Sequence, residues 1–158
     1  MKLSPELHQE IERFFRFYYS DETLVLPEVQ IYVRRGAHCV SRIAGAHGIT
    51  FGRHIFIRPD IACRNSKNHL TIPKDLLVHE LTHTLQYEKQ GFFGFLFSYL
   101  KAYLSNLRGK KKWDIYSRVE SYLQIPHEIE ARDSAERFVE WFYSGAFSSS
   151  PSSANNSK

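Results

Sequence analysis

The segment with the most evident chemistry is His-Glu-Leu-Thr-His at residues 79–83, which places two imidazoles four residues apart. Residues 73–88 have the pattern of one helix, and residues four apart lie on the same helix face. His79 and His83 can therefore offer two neutral nitrogens to one cation, and Zn²⁺ suits them because it takes nitrogen ligands in a compact tetrahedron. Glu80 is too close in sequence to be a good third ligand, and it is placed to take a proton from a water at the open position.

The helix that carries these histidines has the signals needed to hold them in place. Leucines recur along it every four residues, at Leu77, Leu81 and Leu85. Such a stripe anchors a helix to an apolar core. Pro73 is tolerated in the first turn, and Asp75 suits the positive N-terminal end of a helix. This context favours a metal site over two histidines that fall in register by chance.

A catalytic zinc site with two histidines needs a third protein ligand, and a second helix downstream offers two carboxylates. This helix is predicted over residues 126–143, with Glu128 and Glu130 in its first turns. The two side chains point in different directions because residues i and i+2 do not share a helix face. Glu128 is in line with Ala131 and Ala135, a strip of small residues that permits a close approach to the histidine helix. We therefore expect Glu128 to be the third ligand, with Glu130 as the alternative.

Together these segments resemble the gluzincin metallopeptidases, in which a His-Glu-x-x-His helix is followed by a Glu-x-x-Ala helix. The resemblance implies one Zn²⁺ per chain, held by His79, His83 and Glu128. It also implies that Glu80 is the general base and that a metal-activated water hydrolyses peptide bonds in a peptide or protein substrate. An endopeptidase is favoured over an exopeptidase.

Tyr122 and His127 are two further candidates for a catalytic role. Tyr or His donates a hydrogen bond to the oxyanion of the tetrahedral intermediate in the class that this chain resembles. A structural role is the alternative for each, since both residue types also satisfy buried hydrogen bonds. His54, on a predicted edge strand, is expected to be a solvated strand residue.

A second resemblance covers the chain from about residue 25 to residue 90. Residues 44–52, 55–57 and 76–86 are similar to a bacterial domain family of unassigned function. Its members carry Gly-Ala-x-Ala-x-Thr-x-Gly-x-x-Ile before a Leu-x-x-His-Glu-Leu-Thr-His-x-x-Gln helix. Several members accompany contractile injection systems, so this resemblance implies a partner in a secretion apparatus.

Composition predicts a single folded domain over residues 1–147 and a disordered Ser-rich tail over residues 148–158. The chain has 158 residues, of which 42% are hydrophobic and 15% aromatic, enough to build a core. The net charge of +4 comes with one basic run and no recognisable nucleic-acid-binding motif, so nucleic acid is not an expected partner. No N-terminal signal is apparent, which predicts a cytoplasmic protein or one exported by a route without a signal peptide.

The two cysteines, Cys39 and Cys63, are too few for a disulfide framework. We expect both to be reduced thiols, with Cys39 buried, although the sequence leaves open whether they form a pair.

The pattern of apolar residues predicts an α+β fold, with a small N-terminal mixed or antiparallel sheet packed with several helices, one of them a zincin-like active-site helix. Beyond the two helices described above, helices are expected over residues 5–19, 40–44, 92–107 and 113–123. Strands are expected over residues 29–33, 49–51 and 54–57, the last two forming a hairpin around Gly52 and Arg53. Residues 58–68 are expected to form a polar loop. The strand over residues 54–57 is expected to lie at a sheet edge, where an extended substrate could pair with it.

The helix over residues 92–107 is strongly aromatic, and we expect it to be a packed core helix. The alternative is an exposed hydrophobic face for a membrane or a partner, because its apolar residues cover more than one stripe. A membrane contact, if the protein makes one, is expected through residues 92–97, which include Phe92 and Phe97.

The sequence therefore favours a zinc-dependent peptidase. The rival from another class is a non-catalytic or latent zinc-binding scaffold or cargo module that is associated with a secretion or injection apparatus. Glu80 favours the enzyme, because a structural zinc site has no need of a general base. The small size of the domain favours the scaffold, because no separate subdomain is available to wall a cleft.

Overall fold

The fold is α+β, as predicted: the described residues form a three-stranded mixed sheet near the N-terminus, packed against five helices. The structure is a computed structural model, and it describes residues 1–33, 47–64, 70–110 and 114–145. The helices are α1 (Pro5–Tyr19), α2 (Lys74–Gln90), α3 (Phe92–Arg108), α4 (Ile115–Leu123) and α5 (Pro126–Tyr143). The strands are β1 (Gln30–Val33), β2 (Gly48–Phe51), β3 (His54–Ile57), β4 (Cys63–Arg64) and β5 (Leu70–Thr71).

Helix α1 is an amphipathic helix that supplies aromatic side chains to the core. Ser4 caps its N-terminus by accepting a hydrogen bond from the backbone of the first turn, and a proline follows directly. Phe14 is fully buried and meets Phe138 of α5 edge to face, with ring centroids 5.2 Å apart. The N-terminal helix is therefore attached to the C-terminal helix through aromatic packing.

The three-stranded sheet has the order β1-β3-β2, with β1 parallel and β2 antiparallel to β3. The predicted hairpin between β2 and β3 is present, and Gly52 in its turn has a φ of 57°, which favours glycine. The expectation that His54–Ile57 lies at a sheet edge is wrong, because β1 pairs with the other side of β3. Within the described residues β2 is instead an edge strand, so an incoming chain could pair with β2 and not with β3.

Helix α2 lies at the centre of the molecule, between the sheet and the other helices. Its residues Leu77, Val78 and Leu81 join the main core with isoleucines of β1 and β3. Small side chains then let α5 approach the opposite side of α2. Thr82 of α2 and Ser134 of α5 are fully buried, and their hydroxyl oxygens lie 2.6 Å apart, so both are hydrogen-bonded.

The expectation that the aromatic helix is a packed core helix is wrong. Only Phe95 and Leu107 of the 17 residues of α3 are buried. Phe95 packs on Tyr87 of α2 with ring centroids 3.9 Å apart, so α3 attaches through a narrow stripe. Apolar residues on several faces of a helix do not reveal which face another element covers, and within the described residues most of α3 is left exposed.

Several expectations fall partly or wholly outside the described residues. These are the short helix over residues 40–44, the tail over residues 148–158 and the environment of Cys39. The polar loop expected over residues 58–68 contains the two-residue strand β4, which pairs antiparallel with β5. None of the described helices is both long enough and apolar enough to cross a bilayer.

Candidate metal centre

Three side chains from two helices converge beside the sheet. His79 and His83 come from α2, and Glu128 comes from the first turn of α5. One potential ligand atom from each residue can be chosen so that all three lie within 4.8 Å of one another. We call these three side chains the metal group. His79 Nε2 is 3.4 Å from Glu128 Oε2, and His83 Nε2 is 3.3 Å from Glu128 Oε1. His83 and Glu128 are buried, and His79 is half-buried.

The spacing of these atoms fits a shared metal ion. Zinc ligands at about 2.0–2.1 Å from a tetrahedral centre are separated from each other by roughly 3.3–3.4 Å. A direct charge-assisted hydrogen bond would be shorter, about 2.7–2.9 Å. Glu128 Oε2 is also buried without a hydrogen-bond partner, which is costly for a carboxylate unless a cation satisfies it. The donor set and the unpaired oxygen together allow this group to hold a metal ion.

Two tyrosines from the neighbouring helices lie beside the Glu128 carboxylate. The hydroxyl of Tyr99 donates a hydrogen bond of 2.7 Å to Oε1, and the hydroxyl of Tyr122 is near the same carboxylate. Burial alone would raise the pKa of Glu128, but the adjacent imidazoles of His79 and His83, together with the Tyr99 hydroxyl, hold it well below its usual range. Glu128 is therefore an anionic side chain, and the hydrogen bond from Tyr99 helps to fix its orientation.

Gln86 orients His83 from the side opposite the metal group. Gln86 Nε2 donates to Glu130 Oε2 at 2.8 Å, so its Oε1 is left to accept from His83 Nδ1 at 2.9 Å. His83 Nε2 then carries the lone pair that faces Glu128. Glu130 also accepts from Tyr19 at 2.8 Å, so its carboxylate points away from the histidines and supports Gln86. The structure thus places Glu130, the alternative third ligand, in a supporting position.

Glu80 lies under β2, beside the metal group. Thr50 Oγ1 donates a hydrogen bond of 2.6 Å to Glu80 Oε2 and lies 3.2 Å from the backbone oxygen of the same residue. Burial raises the pKa of Glu80, against the effect of the two nearby imidazoles. A Cβ atom at Gly48 would lie only 2.5 Å from Glu80 Oε1, so this close approach of strand and carboxylate requires glycine.

Tyr122 and His127, the other two candidates from the sequence, have different positions. Tyr122 lines the same cleft as the metal group. The ring of His127 packs against Phe95 at 4.9 Å between centroids, and its Nε2 lies 3.3 Å from the hydroxyl of Ser98. His127 does not contribute to the cleft wall, and burial lowers its pKa. The structure brings Tyr122 to the metal group and keeps His127 in the contact between α3 and α5.

The metal group opens into a cleft of about 700 Å³. One wall is β2, and the remaining walls come mainly from the helices. The wall is mostly apolar, and its members include Ile49, Phe95, Leu96 and Leu123. A cleft of this size can admit a segment of polypeptide, and its apolar walls would then surround that segment.

Four residues of this site were not predicted from the sequence, namely Gly48, Thr50, Gln86 and Tyr99. Gly48 and Thr50 alternate on the buried face of β2, a signal that becomes informative only when β2 is known to lie on Glu80. Tyr99 lies in the aromatic helix, where it was grouped with the phenylalanines. Its hydroxyl was the available signal, because a buried tyrosine needs a polar partner.

The family profile described as the eCIS core domain matches residues 2–91, where eCIS denotes an extracellular contractile injection system. The matched part includes α1, the sheet and α2 with His79, Glu80 and His83, and it ends before Glu128. No curated protein matches the chain. No solved structure matches it either.

The different positions of Glu128 and Glu130 lead to a prediction about metal affinity. Glu128→Ala removes a donor of the group and should weaken Zn²⁺ binding by more than about 100-fold. Glu130→Ala only loosens Gln86 behind His83 and should cost about tenfold or less. Titration against a chelator of known affinity measures both effects, with circular dichroism as the control for folding. Equal Zn²⁺ affinity in Glu128→Ala and the wild type would contradict the assignment.

The close approach of Gly48 to Glu80 predicts that an alanine at residue 48 destabilises the protein, whereas an alanine at an unconfined glycine does not. Gly48→Ala should lower the free energy of unfolding by about 1–3 kcal/mol, because the new methyl overlaps the Glu80 carboxylate. The control, Gly94→Ala in α3, places a methyl 3.7 Å from its nearest neighbour, Gln90 Cβ, and should stabilise the protein by about 0.5–1 kcal/mol. Urea unfolding of both variants measures the difference. A Gly48→Ala protein as stable as the wild type would show that Glu80 is not confined by β2.

Proposed function

The chain belongs to the eCIS core domain family, and we propose that it is a zinc-dependent peptidase that works in association with a contractile injection system. The main support is that His79, His83 and Glu128 form a three-donor group at the wall of an open cleft, with Glu80 beside it. Structural zinc sites are closed by four protein ligands, whereas catalytic sites have three and leave a position for water or substrate. Among the described residues the group has three donors and faces a cleft, which is the catalytic arrangement.

Zinc is the metal that best suits this donor set. Two imidazole nitrogens and one carboxylate oxygen are typical of catalytic zinc, whereas Mg²⁺ and Ca²⁺ prefer oxygen ligands throughout. When bound, zinc supplies a Lewis acid that polarises a carbonyl and activates water. His83 is oriented for this role by Gln86, and Glu128 by Tyr99.

In the proposed reaction, Glu80 moves protons. It accepts one from the attacking water and later gives it to the nitrogen of the leaving amine. Thr50 and Gly48 hold Glu80 between β2 and α2, so the carboxylate is positioned before substrate arrives. Tyr122 is the residue within the cleft that we assign to donate a hydrogen bond to the developing oxyanion.

The proposed substrate is an extended segment of polypeptide. It would pair with the open edge of β2, which forms one wall of the cleft beside Glu80. The apolar walls around Leu96 and Leu123 favour segments with large apolar side chains. Association with an injection system is proposed from the family, and it would determine which proteins the peptidase meets.

A non-catalytic or latent zinc-binding module is the second candidate. It is favoured by the way the three donors link α2 to α5, since a metal shared by two helices also fastens them together. In that case the injection system would use the protein as a scaffold or cargo, and Glu80 would have no chemical role.

Replacement of Glu80 separates these two functions. Glu80→Gln keeps the size of the side chain but removes the base, so zinc content should be unchanged and cleavage of a peptide library should fall by about 10²–10⁴-fold. The matched control is Glu88→Gln on the same helix, whose exposed carboxylate pairs with Arg53 and should leave turnover unaffected. Zinc-loaded wild type that cleaves no peptide would favour the scaffold.

The hydrogen bond from Tyr99 predicts a role in positioning Glu128. Tyr99→Phe removes the hydroxyl but keeps the ring, and it should weaken Zn²⁺ binding by about tenfold while the fold stays intact. The control is Tyr116→Phe, because that side chain is 81% exposed and should not affect the metal. Chelator competition measures both affinities. If Tyr99→Phe and the wild type bind zinc equally well, the hydroxyl does not orient the ligand.

A further inference from the structure

Most of the outer face of α3 has no role in the reaction proposed above. Six apolar side chains of this helix are between 42% and 81% exposed: Phe92, Phe93, Leu96, Phe97, Leu100 and Leu104. We call this set the α3 apolar face. Single exposed apolar residues are common on proteins, but a contiguous group marks an interaction site.

The α3 apolar face is contiguous because of its helical spacing. Phe93, Phe97, Leu100 and Leu104 follow one another at intervals of four, three and four residues, so they form one stripe along the helix. A helix of 17 residues is about 25 Å long, and this stripe covers most of its length.

The charges on α3 all have the same sign. Its 17 residues include Lys101 and Arg108 but no Asp or Glu. Lys101 lies four residues after Phe97, and Arg108 lies four residues after Leu104, so both cations border the stripe. Long basic side chains can lie along apolar surface while their charged ends reach an anionic layer.

We propose that the α3 apolar face docks on a lipid bilayer that contains anionic lipids, with α3 lying in the plane of the interface. An amphipathic helix with Phe and Leu on one side and basic residues at its border binds membrane surfaces in this way. Protein interfaces combine apolar area with hydrogen bonds across the contact. The six side chains of this face have no hydrogen-bonding group, which fits an acyl boundary better than a protein surface. None of the described helices spans a bilayer, so the contact is peripheral.

Docking would place the cleft beside the lipid surface. Leu96 belongs to the α3 apolar face and also lines the cleft into which His79, His83 and Glu128 open. Polypeptide segments at the membrane would then be the substrates that the cleft meets first. This consequence rests on the proposed function, whereas the binding to lipid does not.

Vesicle flotation of the full chain tests the docking without reference to catalysis. The probes are vesicles of phosphatidylcholine alone and vesicles in which about a third of the lipid is phosphatidylglycerol. The wild type should float with the anionic vesicles, bind less to the neutral ones and dissociate as salt is raised. Phe93→Ser with Phe97→Ser should lower the partition coefficient by at least about tenfold. Lys101→Glu should lower it on anionic vesicles only.

The matched control is Phe17→Ser on α1, because Phe17 is 65% exposed and lies outside the α3 apolar face. It should float like the wild type, and thermal unfolding should show that all variants are folded. A wild type that stays unbound, or a Phe93→Ser with Phe97→Ser variant that binds as well as Phe17→Ser, would overturn the proposal. A wild-type dimer that this double variant turns into a monomer, measured by sedimentation without lipid, would overturn it too and assign the face to a second copy.

Discussion

The close contact between α2 and α5 is the constraint on which the rest of the site depends. A three-donor group can form only if the first turn of α5 comes within a few ångströms of the histidines. Small residues allow this, since Thr82 and Ser134 meet through their hydroxyls and Ala131 is fully buried beside them. Larger side chains here would separate the helices and move Glu128 out of reach of the histidines. The packing and the chemistry therefore require the same residues.

The sheet imposes a second constraint on the same site. Strand β2 lies close enough to α2 that Gly48 leaves room for the Glu80 carboxylate and Thr50 donates to it. A buried carboxylate is unfavourable unless it is hydrogen-bonded, so this contact is needed to keep Glu80 beside the metal group. The N-terminal part of the chain, which matches the family profile, thus holds the proposed base and two of the proposed ligands, and the C-terminal part supplies the third proposed ligand and the tyrosines.

One face of helix α3 packs against the interior of the protein, and the other face is exposed. Its inward stripe brings Phe95 onto α2 and Tyr99 onto Glu128. Its outward stripe is as apolar as a core helix, which is why periodicity alone predicted burial. One helix could therefore connect the lipid surface to the wall of the cleft, because its two faces are fixed relative to each other.

The sequence by itself determined the local features of this protein. The spacing of His79 and His83, the small residues beside Glu128 and the hairpin before the histidine helix each depend on neighbours within one or two turns, so they could be predicted from periodicity. Only the tertiary structure decided what depends on distant pairings. The parallel contact of β1 with β3 made β3 the central strand of the sheet, and the approach of β2 to α2 gave Gly48 and Thr50 their roles. The exposure of α3 was likewise decided by which elements cover it, because a helix's own sequence does not specify its neighbours.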